Sequence, residues 1–445
     1  MKKLSAIFIF LFLSAAYSEE STIQKKLTLE LCQTISLDTN PLNRAACEGV
    51  QIAKEITGMA QAPYYPQIDG HAHYDRWQKH NFFRLNIPPG TPIPSSIVPN
   101  VIGPTDDFGY SVDSSYTLYD WGKRRAELME ALANLGAACE DAQRIKQEIL
   151  LNVSVAFYNL IANYELEKVA IKNLERAEKH HHLTKEKQEV GAVPLSDVLR
   201  AQVVVAEGKQ ELVRSQSLVR ISKVNLNSAI GLPPNINIEI EFHQIIADSP
   251  SSIDLKGAQN NALLYRPEIK SLQKQLLALK YQIKSAESSF GPKFTAVGGY
   301  GRRDSNFPPK DPEWAFGVSM DVPIFTGYEL THNLRRTQAE FYKAKAEYDR
   351  IKLNVQNDVW ISYSRLLEAY EMIQTSIAQV RDAEESMRLT EERYNIGAGI
   401  ISDLLDAQTS LARAEAVNVD AIWKYQSALS TFFWSQGLMY VKHSR

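Results

Sequence analysis

Leu389 to Gln408 reads LTEERYNIGAGIISDLLDAQ, and Leu183 to Gln202 reads LTKEKQEVGAVPLSDVLRAQ. The two stretches lie 206 residues apart, and about half of their aligned positions are identical, including Gly191/Gly397, Ser196/Ser402, Asp197/Asp403 and Gln202/Gln408. Each reads as the tip of a helical hairpin. A long polar helix arrives, and a Gly supplies a backbone turn that other residues resist. Ser-Asp then starts the return helix as a capping pair. Pro194 fits the start of the first return helix, where no amide hydrogen is needed.

The likeness runs outward from the tips. Ile351, Val355, Val359, Tyr363, Leu366, Tyr370, Ile377 and Val380 form a stripe whose counterparts, 206 residues earlier, are Ile145, Ile149, Val153, Phe157, Leu160, Tyr164, Ile171 and Leu174. Steps of three, four and seven place each stripe on one helix face. Nearer the start of each half the offset grows to 226, matching Asn40-Pro41 with Arg266-Pro267, Pro66 with Pro292 and Tyr74 with Tyr300. The extra residues fall within 78–107, a Pro-rich loop that cannot be helix. An internal twofold repeat follows. Residues 1–18 are a leader, 19–230 a first repeat, 231–257 a connector, 258–438 a second repeat and 439–445 a short tail.

Strands flank the Pro-rich loops. Ile68, Gly70, Ala72 and Tyr74 alternate with Gln67, Asp69, His71 and His73, and Phe108, Tyr110, Val112, Tyr116 and Leu118 alternate with Gly109, Ser111, Asp113, Ser115 and Thr117. In the second half Phe294, Ala296 and Tyr300 precede Trp314, Phe316, Val318, Met320 and Val322, which alternate with Gly317, Ser319 and Asp321. Period two means one apolar and one polar face. Each half carries one strand pair, the second joined by a loop over about Arg303 to Glu313. Strands of ~8–11 residues with an aromatic face suit a tilted membrane span. The pattern puts Asp113, Ser319 and Asp321 toward a lumen and their neighbours toward lipid. Lipid tolerates no open sheet edge, so four strands need other copies to close them.

Helix-permissive stretches complete the outline: Lys123 to Val190 and Tyr328 to Ile396, each ~100 Å if continuous, with return helices Leu195 to Ile230 and Ile400 to Gln436 at about half that. Pre-strand helices span roughly Thr28 to Ala60 and Asn260 to Ser289. A return helix stacked end to end on a pre-strand helix equals one long helix, which implies a rod of parallel helices with strands at one end and tips at the other.

Composition bounds the rest. A net charge of −3, from 49 basic and 52 acidic residues, gives no reason to expect nucleic acid. Met1 to Ser18 is a secretory leader, with Lys2, Lys3, an apolar run and Ala16-Tyr17-Ser18 for cleavage. No further apolar stretch long enough for a membrane helix is expected. Cys32, Cys47 and Cys139 are an odd count for an exported chain. A Cys32–Cys47 bridge requires the chain to turn near Pro41, because fifteen residues of straight helix put them ~22 Å apart.

The order and spacing of Tyr265-Arg266-Pro267-Glu268-Ile269, of Tyr394-x-x-Gly397 followed by Ser402-Asp403-Leu404-Leu405-Asp406-Ala407, and of the twofold repeat resemble the TolC family of outer-membrane efflux and secretion channels, from Leu27 to Leu438. The resemblance implies an α+β membrane protein. It implies a homotrimer with a 12-stranded outer-membrane barrel, four strands per chain, continued by a periplasmic α-helical barrel. It also implies a periplasmic adaptor and an inner-membrane transporter as partners, in an efflux pump or a type I secretion system of a diderm bacterium. Some members carry a basic residue two positions after the second tip Gly; here Gly399 stands there. The alternative reading, a periplasmic coiled-coil adaptor or scaffold without a pore, explains the leader and the hairpins but not two aromatic-faced strand pairs.

The candidate functional residues follow. Gly191, Ala192 and Val193, with Gly397, Ala398 and Gly399, form small exposed turns that a partner hairpin can approach, and are expected to contact the adaptor. Asp403 and Asp406, three apart, share a helix face and are expected to ring the entrance as a gate. Asp403 has a second reading as a helix-start residue like Asp197, whereas Asp406 has Arg200 as its counterpart. Tyr394 is expected to hydrogen-bond across the tip, as the resemblance implies. No catalytic arrangement is present, and no cofactor is expected. His180-His181-His182 reads as a solvated helix face. His71 and His73 share a strand face and could hold a transition metal in an oligomer, although a lumen lining is the reading preferred. Gly298-Gly299-Tyr300-Gly301 lies in a strand pattern and lacks the following helix of a phosphate loop.

Overall fold

Two prolines cut what periodicity alone joins. In a computed structural model, which describes residues 26–76, 106–241, 249–250 and 253–439, the pre-strand stretches are each two helices. The chain runs α1 (Leu29–Thr39), α2 (Pro41–Gln61), β1 (Gln67–Arg76), β2 (Asp106–Tyr119), α3 (Lys123–Glu189) and α4 (Leu195–Ile230). It continues through α5 (Leu255–Tyr265), α6 (Pro267–Ser288), β3 (Lys293–Asp304), β4 (Asp311–Asp321), α7 (Glu329–Asn395) and α8 (Ile401–Ser435). Asn40 and Arg266, each preceding a Pro, are extended at ψ 124° and 125°. A proline ring excludes the helical region for the residue before it, so the expected continuous helices break there. The helices otherwise match in length across the halves, with α3 and α7 at 67 residues each and α4 and α8 at 36 and 35. The leader, most of the 78–107 loop and the residues after Met439 lie outside the described residues.

The chain divides into two compact units that cut across the segments 19–230 and 258–438. One comprises Met1–Val50, Cys139–Ser271 and Tyr348–Arg445; the other comprises Gln51–Ala138 and Leu272–Glu347. The division follows the hydrogen bonding, because β2 pairs with β3 across the halves.

The second unit is built on that sheet, antiparallel in the order β1-β2-β3-β4. Its register aligns Ala72, Tyr110, Arg302 and Pro312 in one row and Gly70, Val112, Tyr300 and Trp314 in the next row on the same face. A shift between Thr117 and Tyr119 brings Tyr119 opposite Phe294 and takes Leu118 out of the expected alternation. The β3–β4 connection is only residues 305–310, shorter than the expected Arg303 to Glu313, because both strands extend. At the start of α3, Asp120 accepts from the backbone amides of Gly122 and Arg124 and from the Arg124 guanidinium, which also donates to the Pro63 carbonyl. Trp121 and Tyr328, one before each long helix, hold left-handed backbones at φ 55° and 68° beside Gly122 and Gly327.

Among the described residues the first unit holds three apolar clusters. One joins Leu27, Cys32, Ile149, Val153, Phe157, Leu160 and Leu226 with the connector residue Ile238. Leu27 pairs with the connector through amide bonds to and from Glu239 and Glu241, so that segment is a structural strap as well as a link. A second cluster joins Ala262, Ile269, Val355, Val359, Leu366 and Ile373. The expected stripe holds through Tyr370 and its counterpart Tyr164 but not to its end. Ile377 and Ile171 are exposed, and Ile373, Ser376 and Ala170 are buried in their place, since a step of seven drifts off a face of period 3.6.

In this unit each return helix ends against a helix break. Gly231, at φ 92°, closes α4, and a Cβ there would lie 2.7 Å from Asn40 Cα; Gly437, at φ 74°, follows α8, and its Cβ would lie 2.7 Å from Arg266 N. Both a left-handed turn and a close approach require glycine. Arg266 fastens the second joint: it is buried, pairs with Asp358 at 3.0 Å and with Glu268, and stacks 5.0 Å over Trp434. Cys32 is free and buried, which pushes its thiol up to about 12; Cys47 and Cys139 are free and exposed, so the bridge does not form. One window of α3 is apolar and long enough to cross a membrane by composition, contrary to expectation, and 44% of it is buried within the chain.

Candidate functional site

Both tips close with the same backbone chemistry. Gly191 and Gly397 share φ 77°. Gly191 N donates to Gln188 O at 2.9 Å and Ala192 N to Lys187 O at 2.8 Å; Gly397 N donates to Tyr394 O at 3.2 Å and Ala398 N to Arg393 O at 2.9 Å. These paired bonds satisfy the last helical carbonyls through a left-handed residue that favours glycine. Gly191, Ala192 and Gly397 are exposed, and a Cβ on either glycine meets nothing within 4 Å.

The capping expectation is corrected. The residues preceding α4 and α8 are Pro194 and Ile400, and neither offers a side-chain cap. Ser196 and Ser402 lie inside the first turns. Ser402 instead accepts from the Arg200 guanidinium at 2.9 Å. Asp197 and Asp403 sit in the first turns, where a carboxylate complements the helix dipole. Asp403 and Asp406 are both exposed, on the side of α8 away from buried Ile401, Leu404, Leu405 and Gln408.

Tyr394 is 3% exposed, and its hydroxyl lies 3.2 Å from Thr184 Oγ1 on α3. Thr184 already donates to His180 O, so Tyr394 is the donor in that pair. Lys187 completes the contact from the first tip. Its Nζ donates to Tyr394 O at 2.7 Å and to Asn395 O at 3.4 Å, and lies 4.1 Å from the Tyr394 ring centroid. A cation on the last carbonyls of α7 complements that helix terminus. Gly399 has no side chain to do this, and a Cβ there would fit tightly, 3.2 Å from Tyr394 N. Sequence reasoning missed Lys187, although a basic residue one turn before the tip glycine was the available signal.

Further from the tip the seam between hairpins turns polar. Arg176 donates to both carboxylate oxygens of Glu415 at 2.7 and 2.8 Å, and Lys179 to Glu391 at 2.9 Å. Gln408 Nε2 donates to both the backbone and side-chain oxygens of Asn173. His180 is 1% exposed rather than solvated, and its Nδ1 has no hydrogen-bond partner among the described residues. Burial pushes its pKa below the ordinary value; Glu391 opposes that shift, and Lys179 and Arg176 reinforce it. His182 does face outward, toward Glu186 at 3.4 Å.

In the sheet unit, Asp113, Ser319 and Asp321 occupy rows of the face opposite Val112, Val318 and Met320. His71 lies 3.9 Å from Asp113 and His73 3.8 Å from Asp107. His73, Asp75 and Asp107 each bring a metal-ligating atom to within 4.8 Å of the others. Arg303 donates to both oxygens of Asp107, however, so this cluster is held as an ion-pair network. Gly298, Gly299 and Gly301 lie within β3, as their pattern implied.

Two long helical hairpins and a four-stranded antiparallel sheet with one apolar face are parts that suit an outer-membrane channel. Residues 35–232 and 258–432 match the family described as outer membrane efflux protein, and the chain belongs to that family. It is 22% identical over 318 residues to the pyoverdine export outer membrane protein OpmQ of Pseudomonas aeruginosa, covering 70% of this chain and 65% of the relative. It is 25% identical over 330 residues to the toluene efflux pump outer membrane protein TtgF of Pseudomonas putida, covering 72% and 68%. The crystal structure of the Campylobacter jejuni CmeC outer membrane channel superimposes with a TM-score of 0.78 at 18% identity, over 94% of this chain and 87% of that one. The chain spans about two thirds of the length of these two curated relatives. It is an outer-membrane protein.

Proposed function

We propose that the protein is the outer-membrane exit duct of an export system, a tripartite efflux pump or a type I secretion system. The carrying observation is the sheet. Its register gathers Tyr110, Val112, Tyr300, Trp314, Phe316 and Val318 on one face and Asp69, Asp113, Thr295 and Ser319 on the other. Among the described residues β1 and β4 each pair on one side only. An apolar outer face with two open edges supports closure by other copies, as lipid demands. Three copies give twelve strands, and their hairpins continue the duct as a helical barrel. Matching helix lengths and paired glycine joints support reading the halves as a twofold repeat.

In this reading Asp113, Ser319 and Asp321 line the lumen, the exposed tip turns meet a periplasmic adaptor, and Asp403 and Asp406 ring the entrance. The pump behind the adaptor selects substrate, in keeping with relatives named for cargoes as unlike as pyoverdine and toluene. No catalytic role is proposed. A pore-less adaptor has no use for the sheet's apolar face. Val318→Arg is expected to cost ~2–4 kcal/mol in membrane insertion while Ser319→Arg is tolerated. Equal insertion of both variants, measured by heat-modifiable mobility in outer-membrane fractions, refutes the barrel.

A further inference from the structure

The seam between the two hairpins of one chain has a counterpart that the chain leaves open. In the closed seam, Arg176 of α3 pairs with Glu415 of α8, and Lys179 of α3 with Glu391 of α7. The tip offset of 206 exchanges first-half and second-half positions. Arg176 maps onto Asp382 and Glu415 onto Lys209; Lys179 maps onto Glu385 and Glu391 onto Lys185. Both derived pairs are again opposite in charge, with the sign of each partner reversed. All four residues are exposed.

The apolar half of the seam behaves the same way. Leu183 packs with Ile401, Leu404 and Leu405 in the closed seam. Its counterpart Leu389 is 47% exposed, and Leu195 and Leu199, counterparts of Ile401 and Leu405, are 60% and 53% exposed. Ser386, counterpart of buried His180, is exposed as well. Among the described residues Asp382 and Glu385 form ion pairs with helix-mates alone, Arg381 and Arg388, through exposed pairs that hold weakly.

We infer that this open surface of α7 docks on α3 and α4 of a second copy of this chain, pairing Glu385 with Lys185 and Asp382 with Lys209 of the neighbour. The surface that α7 presents differs from the surface it meets. Such a contact is head-to-tail and closes into a ring when the rotations of successive seams add up to a full turn. The sign reversal keeps the register, because a hairpin docked on its own kind juxtaposes like charges. The inference rests on the reading that copies assemble, and it specifies which residues meet.

Carbodiimide joins a carboxylate to an adjacent lysine amine as an amide, with loss of the activated group, and tests the pairing on the full chain in detergent. The expected products are covalent multimers containing the Lys185–Glu385 and Lys209–Asp382 peptides, with the Lys179–Glu391 peptide in single chains as an internal reference. Lys209→Gln should remove the Lys209–Asp382 peptide and spare the Lys185–Glu385 peptide. Lys209→Glu should lower the multimer fraction severalfold, and Asp382→Lys in the same chain should restore it. Multimers by sizing without either peptide, or either peptide confined to single chains, overturn the pairing and leave assembly standing. Single chains only, by sizing before cross-linking, overturn the assembly reading itself.

Discussion

The two hairpin tips share half their residues yet live in different surroundings. Ile401 is 2% exposed and its counterpart Leu195 is 60% exposed; Gln408 is fully buried and Gln202 exposed. The backbone turns are the same, down to φ 77° at both glycines. Local sequence therefore sets the turn, and the neighbouring hairpin sets the burial. The second tip packs on α3 of its own chain, while the first presents its equivalent face to the outside.

The largest test of that difference is a pair of truncations. On chains kept apart in detergent, Ile401→Ala should cost ~2–5 kcal/mol of unfolding free energy, and Leu195→Ala should stay within about 0.5 kcal/mol. In the assembled protein the Leu195 penalty should grow. A penalty that stays small there breaks the explanation of the comparison.

A smaller effect is expected at Lys187. Replacing it with Met keeps the aliphatic packing but removes the carbonyl contacts and the ring contact, at about 1–2 kcal/mol. Loosening at the second tip should appear as faster amide exchange at residues 394–399, with the first tip unchanged. Equal protection in both proteins would mean that Lys187 does not brace the turn.

The smallest is a pH effect at His180. In the unfolded chain its imidazole gains a proton near the ordinary value, ~6.5; in the folded chain burial holds that protonation to lower pH. Stability is thus fully present above the ordinary value and is lost as pH falls toward the folded one. His180→Gln should lose less thermal stability between pH 7.5 and 5.5 than the unsubstituted protein. Parallel losses would place the acid sensitivity elsewhere.

Much of the fold was legible in the sequence because its signals are local. Proline and glycine mark the joints, period two marks the strands, and the bounds of α4 were read as they stand. The helix breaks at Asn40 and Arg266 were also written in the following prolines, but a steady apolar period masks a break when the next helix resumes it. The site was less legible. Three consecutive histidines do not say which one faces inward; that depends on α3 burying Ala177, His180 and Thr184 against the second hairpin. Ser-Asp resembles a cap, yet Pro194 and Ile400 take the preceding position and move both residues into the first turn. Lys187 acts on carbonyls 207 and 208 residues away; its place one turn before the tip glycine marks it as a candidate, but local sequence does not say which carbonyls it reaches.

The central claim, that copies of this chain form a conducting duct whose entrance is lined by Asp403 and Asp406, is tested most directly by single-channel recording in planar bilayers. The unsubstituted protein should give discrete, cation-selective steps blocked by multivalent cations. The Asp403→Ala, Asp406→Ala double variant should still conduct but lose both the selectivity and the block. Absence of discrete steps from the unsubstituted protein would contradict the duct, and unchanged selectivity and block in the double variant would contradict the entrance.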